Sequence, residues 1–292
     1  MAGDTREVHQ RDIGEPSNDD AQRVANEMRN QEPLLAMKLR TTHEDPEFMS
    51  TFFKASRLHF IGTWKARYQE ILDSLPPPPA LPPSHGCERL VFHIDMDCFF
   101  ASVAVRGRPE LANRPVAVCW GTSNNGSAEI SSANYEARGF GIGAGMFIRE
   151  ARQRCPALVT VPYEFDKYSA TAEDMYRTLF DFTPHVQGVS VDEAYADFTG
   201  MGEAGDLASK LRAAIKERTG GCCASIGSGP NRLIARLGTK RAKPDGHWHI
   251  AQAQAAACVA ELPVSDLPVC HPPNDLHGLL YKSSWIVDLP AI

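Results

Sequence analysis

The sequence predicts an α/β or α+β sheet domain, preceded by an acidic segment and a proline-rich linker. From residue 89 onward, short apolar runs alternate with longer amphipathic stretches, an order typical of strands and helices that build one sheet. The 292 residues are 43% hydrophobic and 23% charged, close to the averages for soluble globular proteins. A chain of this length and composition can bury a sizeable core.

Residues 1–45 are polar and acid-rich, and we expect them to be disordered apart from one short helix near Ala21–Met28. Residues 1–50 hold 11 acids and 6 bases, a net charge of −5 out of −6 for the whole chain. The rest is therefore nearly neutral, so a nucleic-acid partner remains possible through local basic patches. No apolar run reaches the roughly 18 residues of a membrane span. Eight cysteines without a CxxC pair favour a reducing compartment, the cytosol or the nucleus.

Residues 46–84 form an extension whose apolar residues recur at spacings of three and four. This spacing predicts an amphipathic helix over part of the stretch. The apolar residues are Phe52, Phe53, Leu58, Ile61, Trp64, Tyr68, Ile71 and Leu72. Six prolines between residues 76 and 83 then predict a stiff, extended linker.

Two strands and a short helix are predicted next. Arg89–Asp97 is an apolar run that ends in carboxylates, and Arg114–Trp120 is a second strand, followed by a turn in GTSNNGS. Asn134–Arg138 predicts a short helix that stops in the glycine-rich GFGIGAG. The glycine spacing there is GxGxG rather than GxGxxG, which argues against a dinucleotide-binding loop.

The second half alternates helices and strands. Helices are predicted over Asp166–Phe182 and Asp206–Gly220, with strands in GVSVDEAYADFT and CCASIGSG. PNRLIARLGTKRA predicts a basic helix. This stretch and the residues just after it contain five basic residues and no acidic one. The basic residues are Arg232, Arg236, Lys240, Arg241 and Lys243.

Three carboxylates stand out: Asp95 ends a predicted strand, and Asp192 and Glu193 lie inside SVDEAY, within the next stretch of strand residues. An acid at the end of an apolar strand is costly to bury unless it is paired or binds a metal ion. Adjacent Asp192 and Glu193 point to opposite faces of a regular strand, so both serve one site only at a turn or strand end. If that end lies beside Asp95, the three acids would need divalent cations; otherwise they are surface acids. Asp97 is either a further ligand or a hydrogen-bonding residue.

Four stretches occur in a fixed order: FHIDMDCFFASV, SSANYEARGFGIGAGM, SVDEAY and ASIGSGPNRLIARLGTKRAKPDG. Together they resemble the palm and fingers of Y-family translesion DNA polymerases. SRLHFIGTWK, ahead of them, is similar more narrowly to the Rev-one branch of deoxycytidyl transferases. The resemblance implies an α+β fold with an N-terminal helical extension, a palm in residues 85–118 and 163–268, and a small fingers subdomain in residues 119–162.

The resemblance also implies roles for individual residues. Asp95, Asp192 and Glu193 would be catalytic and would hold two magnesium ions, together with the Met96 carbonyl. The nucleotide, dCTP, would contact five residues, with Phe100 as the steric gate against ribonucleotides and Phe99 beside it. The other three are Tyr135, Arg138 and Lys243.

Arg57 and Leu58 match the positions that give the Rev-one branch its preference for cytosine. There, an arginine hydrogen-bonds the incoming cytosine, and the next residue fills the space of the displaced template guanine. Guanidinium donors suit the acceptors of cytosine, and leucine fills an apolar gap without needing a partner. A solvated helix arginine is the alternative interpretation of the same residue.

The resemblance ends at Leu262–Pro268, and residues 269–292 diverge from it. We expect from this that the thumb and little finger are absent, that the chain is truncated after the palm, and that its grip on a DNA primer–template is weakened. The alternative function is a catalytically weak nucleotide- or partner-binding module. A nucleotidyl cyclase is disfavoured because no GGDEF-like turn is present. A zinc site at Cys258, Cys270, His271 and His277 is disfavoured by its spacing. We also expect nuclear localisation, other translesion polymerase subunits as partners and no membrane association.

Overall fold

The computed structural model describes residues 56–77, 88–120 and 128–263, and the single positions 47, 49, 53 and 267. The chain divides into two units, Met1–Phe52 and Phe53–Ile292, and nearly all described residues belong to the second. Several predicted features lie outside the described residues. They are the helix at Ala21–Met28, the turn in GTSNNGS, most of the proline linker and three of the four candidate zinc ligands.

The first elements are helix α1, Arg57–Asp73; strand β1, Val91–Met96; and helix α2, Phe99–Val105. A short 3-10 helix, Pro109–Leu111, leads to strand β2, Val116–Cys119. The Ser56 side chain accepts a hydrogen bond from the His59 amide and so caps α1. Both predicted strands and the helix of the extension are therefore present, with α2 as an element that the sequence did not indicate.

The middle of the chain adds strand β3, Ile130–Ala133, and two short helices, α3, Tyr135–Arg138, and α4, Ile148–Arg154. Strand β4, Val159–Val161, follows. β2 lies between β3 and β4, antiparallel to the former and parallel to the latter. These residues enclose a small apolar core of their own, which includes Ile130, Ile142 and Ile148.

The second half begins with α5, Phe165–Phe182; β5, Val186–Gly188; and β6, Glu193–Asp197. It continues with α6, Ala204–Arg218; β7, Ala224–Gly229; and α7, Arg232–Ala242. The last elements in the described part are β8, His247–His249, and α8, Gln252–Ala260.

The larger sheet has five strands in the order β5-β6-β1-β7-β8. Its pairs are antiparallel except for β7 and β8, and the neighbouring helices pack against it, so the predicted α+β class is confirmed. Alternation along β1 sends Phe92, Ile94 and Met96 into the main core, together with buried residues of α1, α2, α5 and α6. The other face of β1 carries Val91, which clusters with Tyr195 and with Ala235 of α7.

Helix α7 lies unusually close to β7. A Cβ atom at Gly227 would come 2.0 Å from the Ala235 carbonyl oxygen and 2.1 Å from the Thr239 amide nitrogen. Glycine at this position is therefore required by close approach of the two backbones. The contact brings the basic side chains of α7 over one face of the sheet.

None of the helices within the described residues has both the length and the apolar character that crossing a membrane requires.

Candidate active site

The three predicted carboxylates meet at one end of the five-stranded sheet. Asp95 lies directly opposite Glu193 in the antiparallel register of β1 and β6. Asp192 precedes β6 in a bend, and its carbonyl oxygen accepts the Met96 amide at 3.0 Å. The backbone therefore brings the three residues together at a strand end, the geometry that adjacent acids need to serve one site.

Each carboxylate has a polar partner. Lys243 Nζ lies 2.5 Å from Asp95 Oδ1, and the Ser190 hydroxyl donates to Asp192 at 2.6 Å. Glu193 Oε1 is 2.6 Å from His93 Nε2 and 3.1 Å from an Arg236 nitrogen. Arg236 and Lys243 both come from α7 and its C-terminal cap, so the basic helix supplies two cations to this end of the sheet.

The electrostatics differ among the three acids. Burial, added to by repulsion from Asp95 and Glu193, raises the pKa of Asp192 to about 6 despite the Ser190 hydrogen bond. Burial also raises the pKa of Asp95, although Lys243 opposes the shift. Burial would raise the pKa of Glu193 too, but His93, Arg236 and Lys243 outweigh it and hold that pKa below its usual value. Asp192 thus combines burial with repulsion from two neighbouring carboxylates, which makes its negative charge costly.

The donor set suits a hard divalent cation, because it offers carboxylate oxygens that repel one another. Within the described residues, however, no group of three or more His, Cys, Asp or Glu side chains is already arranged around a metal position. Asp95 and Glu193 point toward Lys243 and His93 instead.

His93 belongs to this site, although sequence reasoning missed it. It is 1% exposed and links Glu193, through Nε2, to the Thr239 hydroxyl, which lies 2.8 Å from Nδ1. Thr239 also accepts the Gly227 amide at 2.9 Å. The signal was available, because a residue two positions before Asp95 shares its face of the strand.

Asp97 is a hydrogen-bonding residue in this structure. Its carboxylate is buried and accepts the Ser225 hydroxyl at 2.9 and 3.0 Å, the Tyr135 hydroxyl at 3.1 Å and the Asp245 amide at 2.7 Å. These bonds join β7, α3 and the loop after α7 next to the three carboxylates. Of the two roles considered for Asp97, the geometry favours the structural one.

Tyr135 and Arg138 lie on one face of α3, as their spacing predicted. The Arg138 guanidinium is 4.9 Å from the centroid of the Tyr135 ring, and its Nε donates to the Ala133 carbonyl at 2.9 Å. Asn134 caps the helix by accepting the Ala137 amide. Burial and the neighbouring Asp97 carboxylate raise the pKa of Tyr135, so its hydroxyl stays a hydrogen-bond donor.

Phe99 and Phe100 begin α2 and are both buried. The ring of Phe100 lies 4.6 Å from Tyr168 and 6.3 Å from both Phe60 and Tyr163, measured between ring centroids. Phe100 therefore stands at the junction between α2, α5 and the helix that carries Arg57.

Arg57 is the first residue of α1, and Leu58, 74% exposed, is the second. Burial raises the pKa of Tyr163, while a side-chain hydrogen bond with Ser131 and the positive charge of Arg57 oppose that shift. Further along α1, the Tyr68 hydroxyl donates to the Val186 carbonyl at 2.9 Å. The helix thus connects Arg57 and Leu58 to the sheet through aromatic residues rather than through the carboxylates.

A family model described as impB/mucB/samB matches residues 94–240 of this chain. The match covers half of the chain and contains β1 from Ile94, all three strands of the smaller sheet, Asp192, Glu193 and nearly all of α7. Of the predicted site residues, Arg57, Leu58 and Lys243 lie outside it.

Similar proteins are known in sequence and in structure. The DNA repair protein REV1 of Arabidopsis thaliana is 43% identical over 244 residues, covering 78% of this chain and 21% of that protein. DNA repair protein rev1 of Schizosaccharomyces pombe is 35% identical over 238 residues, covering 78% of this chain and 25% of that protein. A solved insertion ternary complex of Dbh DNA polymerase superposes with a TM-score of 0.57 at 30% identity, covering 61% of this chain and 54% of that one. The chain thus spans about a quarter of the length of these two repair proteins.

Proposed function

We propose that this chain, which belongs to the impB/mucB/samB family of Y-family DNA polymerases, is a deoxycytidyl transferase of translesion DNA synthesis. The reaction would move dCMP from dCTP to the 3′ end of a DNA primer. Nuclear localisation and a DNA primer–template as partner follow from this proposal, as would contacts with other translesion polymerase subunits.

One observation carries the transferase part of the proposal: the register that sets Asp95 opposite Glu193 with Asp192 adjacent. Three carboxylates beside Lys243 form a site that can hold cations and a triphosphate together. Two divalent ions, when bound, would activate the primer hydroxyl and neutralise charge on the triphosphate. We assign their binding to Asp95, Asp192, Glu193 and the Met96 carbonyl, with magnesium as the expected metal.

The remaining polar residues would bind and orient the nucleotide. Lys243, a compact charge now paired with Asp95, would turn to the terminal phosphates once cations replace it at the carboxylate. Tyr135 and Arg138 share one face of α3 and would donate to the phosphates from the other side. The Tyr135 hydroxyl must then turn from Asp97, which keeps its bonds to Ser225 and Asp245.

Sugar selection is assigned to Phe100 and base selection to Arg57 with Leu58. Phe100 is held by rings on three sides, so its position opposite a 2′-hydroxyl would be fixed, and Phe99 packs beside it at 5.5 Å. Arg57 would donate to cytosine, and the exposed Leu58 would occupy the place of the displaced template base.

The test is transfer of each of the four dNTPs to a labelled primer by the wild-type chain and by two variants. Asp95→Ala should abolish transfer. Arg57→Ala should reduce the preference for dCTP by about five- to 150-fold, the usual value of a bidentate contact to a base. Lys65→Ala, an exposed residue of the same helix, is the matched control and should change neither.

Other results would correct the proposal in distinct ways. Normal transfer by Asp95→Ala would refute the metal assignment. Retained cytosine preference in Arg57→Ala would make this residue a packing residue. Tight dCTP binding with no transfer by the wild type would support the alternative of a nucleotide-binding module.

A further inference from the structure

Helix α1 contacts the rest of the molecule near its start through one buried ring. Phe60 lies three residues after Arg57 and is 6% exposed. Its ring centroid is 4.9 Å from Phe165 and 6.2 Å from Tyr168, both on α5. The same ring is 6.3 Å from Phe100, the residue assigned to sugar selection.

These rings form one continuous aromatic cluster: Phe60, Phe100, Tyr163, Phe165 and Tyr168. Tyr163 stacks on Phe165 at 5.0 Å with an interplanar angle of 13°, and meets Phe100 edge-on at 6.3 Å. Phe60 lies about one helical turn after Arg57 on α1, so the cluster adjoins the start of this helix and also includes Phe100.

Packing of this kind transmits displacement. Protein interiors are as dense as organic crystals, and aromatic side chains have few rotamers, so removing one ring shifts its neighbours. α1 is one unbroken helix from Arg57 to Asp73, and its later turns are fixed separately by Trp64 on Tyr176 and by Tyr68 on Val186. Phe60 is thus the buried contact that sets the position of the first turn.

We propose that Phe60 is a positioning residue that orients Arg57 for cytosine and couples this base selection to sugar selection at Phe100. The inference rests on the proposed function and deepens it. It predicts that base and sugar selectivity are not independent in this protein, because one ring supports both.

The experiment measures the dissociation constants of dCTP, dTTP and CTP with magnesium for the 292-residue chain, by calorimetric titration. Phe60→Ala should lower the ratio of the dTTP to the dCTP constant about tenfold, since a displacement near 1 Å can cost up to ~100-fold. It should also lower the ratio of the CTP to the dCTP constant. Phe60→Leu, which keeps most of the apolar volume and is the variant to use if alanine prevents folding, should shift both ratios the same way by less.

Ile71→Ala is the matched control, because Ile71 is a similarly buried residue of α1, 8% exposed, near its other end. It should lower the melting temperature while leaving both ratios unchanged. In an Arg57→Ala background, Phe60→Ala should cause no further loss of cytosine preference, since it acts through Arg57.

The outcomes separate the two levels of inference. If Arg57→Ala keeps the cytosine preference, the part of the proposed function that assigns base selection to Arg57 is wrong. If Arg57→Ala loses the preference while Phe60→Ala keeps it, or if the two losses add, the positioning role alone is overturned. Altered ratios in Ile71→Ala would equally overturn it, because any loosening of α1 would then suffice.

Discussion

At the scale of single residues, the unusual group is the Asp192 carboxylate. Its pKa of about 6 in the folded chain lies above the value near 3.9 expected for an unfolded one. Between these two values the folded state binds more protons, so the free energy of unfolding falls as the pH rises from about 4 to about 6. Above pH 6 the ionised carboxylate therefore opposes folding. A residue that lowers stability at neutral pH is typical of a site built to bind an ion.

Asp192→Asn should accordingly stabilise the protein at pH 7 when magnesium is chelated. The amide removes the buried charge and can still accept from Ser190, so we expect a gain of about 1–3 kcal/mol at pH 7 and none at pH 4. Urea unfolding at both pH values measures this difference. Asp166→Asn, an exposed carboxylate, should give nearly the same small change at each pH.

The effect of magnesium on thermal stability tests the same assignment of Asp192. Magnesium should raise the melting temperature of the wild type, since a ligand of the folded state stabilises it, and should do so far less for Asp192→Asn. A variant that is less stable than the wild type at pH 7, or that still gains equally from magnesium, would contradict the assignment of Asp192.

At the scale of elements, α7 and its C-terminal cap supply side chains that contact two of the carboxylates and His93 of the site. Arg236, Thr239 and Lys243 are spaced by three and four residues, so they share one face. They reach Glu193, His93 and Asp95, in that order. That face can meet the strands only because Gly227 allows the helix to rest on the β7 backbone.

Gly227→Ala should therefore destabilise the fold strongly. The new methyl group would clash with backbone atoms of Ala235 and Thr239, which cannot rotate away, and we expect a loss of about 3 kcal/mol or more. Gly62→Ala is the control, because a methyl group there meets nothing within 4 Å and should stabilise α1 by about 0.5–1 kcal/mol. Equal effects of the two changes in urea unfolding would show that the close approach is unimportant.

The same elements show how much the sequence could predict. Long helices with strong periodicity were predicted within two residues of their ends: Asp166–Phe182 is observed as Phe165–Phe182, and Asp206–Gly220 as Ala204–Arg218. Short elements were missed, because α2, α4, β4 and β8 have three to seven residues and depend on tertiary packing.

Some features of the candidate site could be predicted from the sequence and others could not. The sequence left open whether the three acids converge or lie on the surface, and the register that sets Asp95 opposite Glu193 favours convergence. The link from Glu193 through His93 to Thr239 could not be predicted, because Thr239 lies 146 residues beyond His93 and meets it only through the packing of α7. The contacts of Phe60 could not be predicted for a similar reason, since its partners come from α2 and α5.

At the scale of the whole molecule, negative charge is concentrated at the N-terminus. Residues 1–50 carry a net charge of −5, while residues 51–292 contain 25 acids and 24 bases, a net charge of −1. Under the proposed function, DNA phosphates would be repelled by the first segment and attracted by the basic side chains of α7.

Deleting residues 1–50 should therefore tighten binding to a primer–template at 50 mM salt by at least about twofold, and the difference should vanish near 0.5 M salt, where the Debye length is only a few ångströms. Fluorescence anisotropy with labelled DNA at both salt concentrations measures the effect. Weaker binding after deletion would mean that this segment contributes contacts to DNA that its charge does not suggest.

The hydroxyl of Tyr68 on the Val186 carbonyl has a consequence beyond the orientation of α1. β5 is the outer strand of the five-stranded sheet, and an open strand edge offers unpaired backbone groups to any passing chain. The Tyr68 hydroxyl pairs with one of these groups, and its ring lies close to Gly188, where a Cβ atom would come 3.0 Å from the ring. The helix that carries Arg57 and Leu58 therefore also covers part of this strand edge, and loss of the Tyr68 side chain would leave the Val186 carbonyl without this partner.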